Sequence, residues 1–425
     1  MLLVGDTFYA TCNGGGTSGY GSIFRVNTDG TGFTNLHSFS SANNLNSTNL
    51  DGARPYSGLV LLSNTLYGTA YRGGTHALGS IYKVNTDGTG FTNLYNFVGP
   101  VFSAGAPLDG LVLQSNILYG TASLGGSSGN GTVYAIRIDG TGYTNLHNFA
   151  TGSVTNPDGT YPSCDLLLVN NVLYGTTDKG GSGGAGTIFR LDTDGTGFTN
   201  LHSFYANPPV GYSLGNANLE GAHPLGGVIL SGNTLYGATA DGGTNAAGTL
   251  YKINTDGTGF TNIYIFSEIS KTLGTNLDGG VPYGNLALSD GKLYGTTSQG
   301  GKYRYGTIFS INTNGTGFSV LAYLAASNSA PSMPVAGLTQ SGNIFYGTST
   351  GGGNGGTVFA LTLPTPIPMN FLSSGGKLIL SWTNGAFTLQ SSPSLAVTFS
   401  NVVNASSPYT NVMTNSQLYF RLQAN

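Results

Sequence analysis

Charge is what this chain has least of. Only 7% of its 425 residues are Asp, Glu, Lys or Arg, and 14 Lys+Arg against 17 Asp+Glu leave a net charge of −3. No basic run or stripe exists to neutralise a phosphate backbone, which excludes nucleic acid as a partner. No apolar stretch approaches the roughly 18 residues that span a bilayer as a helix. Cysteine is nearly absent. Cys12 and Cys164 stand far apart in the chain, so no disulfide framework is expected. No signal peptide opens the chain, because Met1-Leu2-Leu3-Val4 runs directly into Thr7-Phe8-Tyr9, which reads as a strand. There is no Ser-His-Asp order, P-loop or dinucleotide fingerprint. Glycine runs such as Gly180-Gly181-Ser182-Gly183-Gly184 precede strands rather than helices, which defeats a phosphate cradle. No cofactor and no metal are expected.

Glycine and repetition are what it has in excess. Gly numbers 70, without the every-third-residue period of collagen, and aromatics reach 11%, too many for a disordered chain. One phrase returns through the chain: Tyr67-Gly68-Thr69, Tyr119-Gly120-Thr121, Tyr174-Gly175-Thr176, Tyr236-Gly237-Ala238, Tyr294-Gly295-Thr296 and Tyr346-Gly347-Thr348, with a looser first copy at Tyr9-Ala10-Thr11. A motif recurring every 52 to 62 residues is a tandem array of supersecondary units.

Aligned on that phrase, the copies share a fixed spine. A proline (Pro55, Pro107, Pro162, Pro224, Pro282, Pro334) precedes its Tyr by 12 residues, and a glycine (Gly21, Gly79, Gly131, Gly186, Gly248, Gly306) follows Tyr by 12. A turn residue follows that glycine by 8, Asp87 in the second copy and Asn314 in the sixth, and an apolar anchor such as Phe39 or Phe97 follows the turn by 10. All length variation lies between anchor and next proline. Each spine reads as four strands, as in Leu59–Leu62, Leu66–Thr69, Ser80–Val84 and Phe91–Phe97. The first is apolar throughout, as in a strand buried on both faces, and Asp87-Gly88 is a strong hairpin signal before the last. Four-stranded meanders in tandem are blades. The fold expected is all-β: a seven-bladed β-propeller over 1–363, a Pro-rich linker over 364–369, and a small β-sandwich-like module over 370–425. The last blade is either three-stranded or completed by a segment preceding Met1.

The unit D-G-x-x-P…L-Y-G-T…G-G…L-H-x-F, carried by Asp51-Gly52 with Pro55, Gly73-Gly74 and Leu36-His37-Ser38-Phe39, resembles the Gloeo/Verruco tandem repeat. The resemblance implies a surface or exported bacterial protein of generally unassigned biochemical role. The segment Leu380-Ser381-Trp382 through Phe420-Arg421-Leu422 looks like a small fibronectin-like tail. The Gly/Asn/Thr/Ser-rich, Lys-poor composition is that of an extracellular protein, so an export leader outside this chain is expected.

Meander geometry places the Gly-Gly loops and the variable linkers on one face, where binding residues tend to sit. Departures from the internal consensus then mark candidates. At the start of the first strand, where other copies carry Ser or Gly, stand Asp109, Cys164-Asp165 and Asn285; acids and amides at a channel mouth suit a polar ligand. The Gly-Gly loops carry Tyr71, Arg72, His76, Lys179, Asp241 and the run Lys302-Tyr303-Arg304-Tyr305, whose aromatic faces and cations suit a sugar or a ring. Asp51, Asp158, Glu220 and Asp278 form an acidic column that could mimic a glycosidase pair, but copies on separate blades read as turn residues before glycine. Asn27-Thr28-Asp29-Gly30 reads as a hairpin rather than a calcium loop. His37, His147 and His202 share a column with Tyr95 and Tyr264 and read as packing residues, not ligands. The leading expectation is a non-enzymatic binding or scaffold protein for a polar ligand, glycan included. The alternatives are a polysaccharide hydrolase or lyase built on Asp109 and Asp165, and a self-associating surface component.

Overall fold

The residues described in the computed structural model are 1–41, 48–98, 105–150, 156–205, 218–325, 331–351, 356–364, 369–374, 377–382, 387–394, 398–412 and 418–424. Parts of the variable linkers, and 365–368 of the Pro-rich segment, lie outside the described residues. Among the described residues there is no helix. The chain divides into two compact units, Met1–Leu361 and Thr362–Asn425.

The first unit is all-β and propeller-like. Its opening sheet runs Leu2–Val4, Thr7–Cys12, Ser22–Asn27 and Thr34–Ser38, each strand antiparallel to its sequence neighbour. The same four-strand meander recurs from Val60–Leu62, Val112–Gln114, Leu167–Val169, Ile229–Ser231 and Ala287–Ser289, and a three-stranded version starts at Thr339–Ser341. The fourth sheet gains Asn156–Thr160 and Lys179–Gly181.

Strand two is the rigid centre of each sheet. In the second sheet its Gly is required because a Cβ on Gly68 would meet the Tyr82 hydroxyl at 2.6 Å and Leu59 Cδ2 at 2.7 Å, whereas the first sheet carries Ala10 there. Strand one is shorter than the sequence implies and only half-buried in the second to sixth sheets. The buried residue is the one just before it (Leu59, Leu111, Leu166, Val228, Leu286).

Apolar clusters join each sheet to the next. Phe39 and Ile23 of the first pack with Leu66, Tyr82 and Val84 of the second, and the pattern repeats through the sixth. Each fully buried Phe or Tyr of this kind contributes about 1.5–3 kcal/mol. The seventh sheet meets the sixth through Tyr294–Phe345, 4.3 Å between centroids, and the first through Phe8–Tyr346 at 4.6 Å. Thr339 Oγ1 also donates to Met1 O at 3.2 Å.

The repeated threonine and the Gly/Pro columns tie neighbours together. Thr11, Thr69, Thr121, Thr176 and Thr296 donate their hydroxyls to the carbonyls of Ser57, Asp109, Cys164, Gly226 and Ala336 on the next sheet. A Cβ on Gly21, Gly79, Gly186 or Gly248 would lie 2.6, 2.8, 2.7 or 2.8 Å from Cδ of Pro55, Pro107, Pro224 or Pro282. The fixed offsets of the sequence are the dimensions of this seam.

The second unit contains two antiparallel three-stranded sheets. One joins Asn370–Ser374, Lys377–Ser381 and Tyr409–Val412, the other Ser400–Asn401, Phe387–Ser392 and Tyr419–Ala424. Leu380, Trp382 and Leu389 form its core.

Candidate functional site

The two ends of each meander differ in kind. At one end the two hairpin turns bond to each other, as in Thr86 N–H to Asn64 O at 2.9 Å and Thr255 N–H to Asn233 O at 3.0 Å. At the other, the Gly-Gly loop pairs with the incoming linker. Ala53 bridges Arg72, Gly105 bridges Leu124, Ala222 bridges Asp241, Gly280 bridges Gln299 and Ser332 bridges Gly351, while Thr160 pairs with Lys179. The loops and linkers therefore share one end, and candidate residues gather there.

The residue before each spine proline holds that end together. Arg54, Ala106, Tyr161, His223, Val281 and Met333 all take left-handed backbone, φ 53–58°, which is uncommon for side-chain-bearing residues, and most of all for valine. The conformation is held from both sides. Each N–H donates to a carbonyl of the preceding sheet (Tyr20, Leu78, Asn130, Ala185, Ala247, Tyr305) at 2.7–3.0 Å, and each C=O accepts from the Gly-Gly loop of its own sheet. This column was invisible as a site in the sequence reading. Its signal was available, however: a position with no consensus beside an invariant proline.

Each left-handed residue thus faces one loop residue, giving the pairs Arg54/Tyr71, Ala106/Ser123, Tyr161/Asp178, His223/Ala240, Val281/Ser298 and Met333/Thr350, with Arg72, Leu124, Lys179, Asp241, Gln299 and Gly351 next in each loop. The pairing reaches the side chains. Lys179 Nζ sits 4.7 Å over the Tyr161 ring, and His223 and Asp241 interact electrostatically. Around the fourth and fifth sheets these pairs merge into one cluster. His223 Nδ1 lies 2.8 Å from Asp178 Oδ1, and Lys179 Nζ 3.7 Å from Asp178 Oδ2. Burial acts to lower the His223 pKa, but the hydrogen bond and charge of Asp178 outweigh it and raise it. Asp241 is 8% exposed, and burial raises its carboxyl pKa. Tyr283, 38% exposed, borders the same carboxylates. Of the sequence candidates, Lys179 and Asp241 meet here. Tyr161, Asp178, His223 and Tyr283 are the partners that sequence reasoning missed.

The channel-mouth trio separates into two kinds of residue. Asp165 is exposed and braced: Gly110 N–H donates to its Oδ1 at 2.7 Å and Asn285 Nδ2 to its Oδ2 at 2.8 Å, while Gly227 N–H donates to Asn285 Oδ1 at 2.6 Å. Asp165 and Asn285 thus link the segments that lead into the first strands of the fourth and sixth sheets. Asp109 does not join them as a charged ligand group. Its side chain takes the place that Ser57 and Cys164 occupy in neighbouring copies, where Ser57 Oγ meets Thr69 Oγ1 at 2.9 Å and Cys164 Sγ accepts Thr176 N–H at 3.0 Å. The Asp109 Oδ2 is enclosed with no hydrogen-bond partner, and burial, then the nearby Asp165 charge, pushes its pKa well above the usual carboxylate range. Cys164 is likewise an inert buried thiol, pushed up to about 12 by burial.

The remaining loop candidates are dispersed. Arg72 Cζ stacks 4.5 Å over the Tyr71 ring and its Nη2 donates to the Tyr71 hydroxyl; Tyr71 meets Tyr56 edge-on at 5.5 Å. His76 is exposed and bonds to Thr75 Oγ1 at 2.9 Å. Lys302 Nζ lies 5.3 Å over Tyr303, itself 45% exposed. Arg304 Nε donates to Leu273 O, and Tyr305 O is consumed by Met333 N–H, so half of that run serves structure.

The acidic column is more than a set of turn residues. Asp51 Oδ2 meets His37 Nε2 at 3.1 Å, and Tyr264 donates to Asp278 Oδ2 at 2.8 Å. Those rings in turn stack on the next sheet, His37 on Phe91 at 3.6 Å and Tyr264 on Phe318 at 3.9 Å. The carboxylates therefore orient inter-sheet aromatic stacks.

The Gloeobacter/Verrucomicrobia repeat model matches residues 5–214 and 209–378. Among solved structures, the chain is similar to a puromycin-hydrolysing peptidase of Mycobacterium tuberculosis, at 11% identity and TM-score 0.50, over 85% of this chain and 51% of that one. It is also similar to an oligogalacturonate lyase of Vibrio parahaemolyticus (10%, TM-score 0.49, 85% and 87%) and to a protein from Lactobacillus plantarum (13%, TM-score 0.49, 98% and 98%). Likeness at such identities concerns fold alone. No curated protein is similar to the chain.

Proposed function

Given that this chain belongs to the Gloeobacter/Verrucomicrobia repeat family, we propose that it is an exported bacterial binding protein rather than an enzyme. In this reading the first unit is a seven-bladed β-propeller whose loop-bearing end holds a polar ligand, a glycan, and Thr362–Asn425 is a fibronectin-like spacer or attachment module.

One observation carries the ligand assignment. Asp241 is a carboxyl 8% exposed that accepts no side-chain hydrogen bond within the described residues, in a cluster bordered by the Tyr161 and Tyr283 rings. The Asp241 oxygens are not sealed from solvent, so sugar hydroxyls can donate to them, while a sugar's apolar face suits tyrosine. Asp178 beside it offers a second acceptor. A hydrolase pair at Asp109 and Asp165 draws no support, because the Asp109 Oδ2 is sealed from solvent and so has no access to a substrate.

A glycan array followed by calorimetry tests the assignment. Wild type should bind a defined set of oligosaccharides, Asp241→Asn and Tyr283→Ala should each weaken binding at least tenfold, and Tyr303→Ala with Tyr305→Ala should weaken it less. Absence of binding to every glycan, or undiminished binding by Asp241→Asn and Tyr283→Ala, overturns it. A second reading, self-association, has its own support: Thr357–Thr362 pairs on one side only among the described residues, and open strand edges attract other strands. Light scattering across concentration checks it; a monomer throughout removes it.

A further inference from the structure

The seam from the seventh sheet to the first leaves uncovered what the other seams bury. At the second position of strand three, Ile23, Ile81, Val133, Ile188, Leu250 and Ile308 are 0–2% exposed, whereas Val358 in the seventh sheet is 41% exposed. The aromatic just before strand four is half-buried at Phe91, Tyr143, Phe198, Phe260 and Phe318 but 67% exposed at Phe33 of the first sheet. Phe24, 5.4 Å from Phe33, is only half-buried, where Tyr82 and Phe189 of other copies are sealed. All three belong to one seam, since Tyr346 of the seventh sheet packs on Phe8 of the first at 4.6 Å.

The complete seams show what covers these positions. A fourth strand on the preceding sheet supplies one His or Tyr with two contacts. That residue opposes strand three, as His37 opposes Ile23 and Tyr95 opposes Ile81. Its ring also stacks on the aromatic of the next sheet, His37 on Phe91 at 3.6 Å and Tyr95 on Tyr143 at 3.9 Å. Two residues on, a Phe packs edge-on against the next strand three, as Phe39 does on Tyr82 at 5.4 Å. In the seventh sheet Thr357–Thr362 pairs on one side only among the described residues. An open backbone edge and an uncovered apolar row thus coincide.

We propose that Thr357–Thr362 is an acceptor edge for one extended strand of a separate partner protein, uncharged and of the pattern Thr-Asn-Leu-His-x-Phe or its Tyr form, with the His or Tyr ring between Val358 and Phe33. Backbone hydrogen bonds to the edge supply affinity, and the ring contacts supply sequence preference. A second copy of this chain has no such strand to lend, because the six described fourth strands are all paired in their own sheets. The edge shares no residue with the glycan cluster and stands independently of it.

The test uses the full chain and a labelled synthetic peptide, Phe-Thr-Asn-Leu-His-Ser-Phe, the sequence of residues 33–39. Fluorescence anisotropy should show saturable binding, and saturation should raise the melting temperature of the chain. A peptide with alanine for its histidine and last phenylalanine should bind at least tenfold more weakly. Val358→Lys, a charge placed on the open edge, and Phe33→Ala should each cause a similar loss. Both side chains are exposed, so melting temperatures without peptide should match wild type; if Val358→Lys melts lower, Phe33→Ala and the alanine peptide decide. Absence of binding, equal binding of the alanine peptide, or undiminished binding by both variants overturns the acceptor edge. Sedimentation of the chain alone separates the occupants: concentration-dependent association that Val358→Lys removes makes the occupant a second copy and overturns the separate partner.

Discussion

Replacing Asp109 with serine should stabilise the protein at neutral pH, and the gain should grow with pH. In the unfolded chain an Asp carboxyl titrates near 3.9. In the fold, burial and the Asp165 charge hold Asp109 protonated well above that, because Oδ2 is sealed and lacks a donor. The folded state therefore binds more protons than the unfolded state at every pH between the two values. Stability is fully present below about pH 4 and declines as pH rises through the window, by about 1.4 kcal/mol per pH unit, until the folded value is reached. Serine has no such titration, and Ser57 shows that it fits, bonding to Thr69 Oγ1 at 2.9 Å. Urea unfolding of wild type, Asp109→Ser and Asp109→Asn at pH 4, 5, 6 and 7 gives the difference directly, with all other titrations cancelling. The signal should be circular dichroism, since the single tryptophan, Trp382, reports on the Thr362–Asn425 unit. Wild type and Asp109→Ser should be close at pH 4 and diverge above it, with Asp109→Asn following the serine curve. Parallel curves for wild type and serine would refute the argument.

Three further outcomes follow from the seams between sheets. Gly21→Ala should cost about 3 kcal/mol or more in the same unfolding assay, since its Cβ at φ 110° meets Pro55 Cδ at 2.6 Å and Cys12 O at 2.7 Å, combining backbone strain with overpacking. Burial lowers the His202 pKa to about 4; Glu220 Oε2 lies 3.3 Å away but makes no hydrogen bond to it, so burial dominates. Its contribution is therefore present above about pH 6.5 and lost as pH falls toward 4, up to roughly 3 kcal/mol. His202→Tyr, the residue of the equivalent Tyr264, should abolish that acid sensitivity, and an NMR titration of the His202 ring reads the pKa itself. Thr176→Val removes the hydroxyl that bonds Gly226 O at 3.0 Å and should cost about 1 kcal/mol, a modest loss, as Ala238 in the next copy already lacks the group.

The scaffold was legible in the sequence because its constraints are local and repeated. Gly21 and Pro55 keep their offsets since one ring presses on one bare Cα, and Tyr-Gly-Thr recurs since its Gly makes room for an aromatic and its Thr reaches the next sheet. The candidate site was only half legible. Lys179, Asp241 and Arg72 depart from consensus inside a loop and so stood out. The partners Tyr161 and His223 precede a proline, a place where composition carries no signal until the backbone hydrogen bonds are known. Asp109 illustrates the converse. Its identity marked it as unusual, but the side to which a carboxyl turns at the start of a short strand depends on packing that periodicity does not encode. The acidic column was placed at its turns but not joined to His37 or Tyr264, because that link crosses a linker of variable length.

The left-handed column has an evolutionary consequence. Its φ angles agree to within a few degrees across Arg, Ala, Tyr, His, Val and Met, so the conformation is dictated by hydrogen bonds from two neighbouring sheets and is indifferent to the side chain it presents. Selection can therefore rewrite each facing pair at small cost to folding, much as loops on an antibody framework are rewritten. A chain of this kind is a keyboard with fixed keys: duplication supplies new ones, drift relabels them, and binding specificity can diverge between relatives whose frameworks stay superimposable.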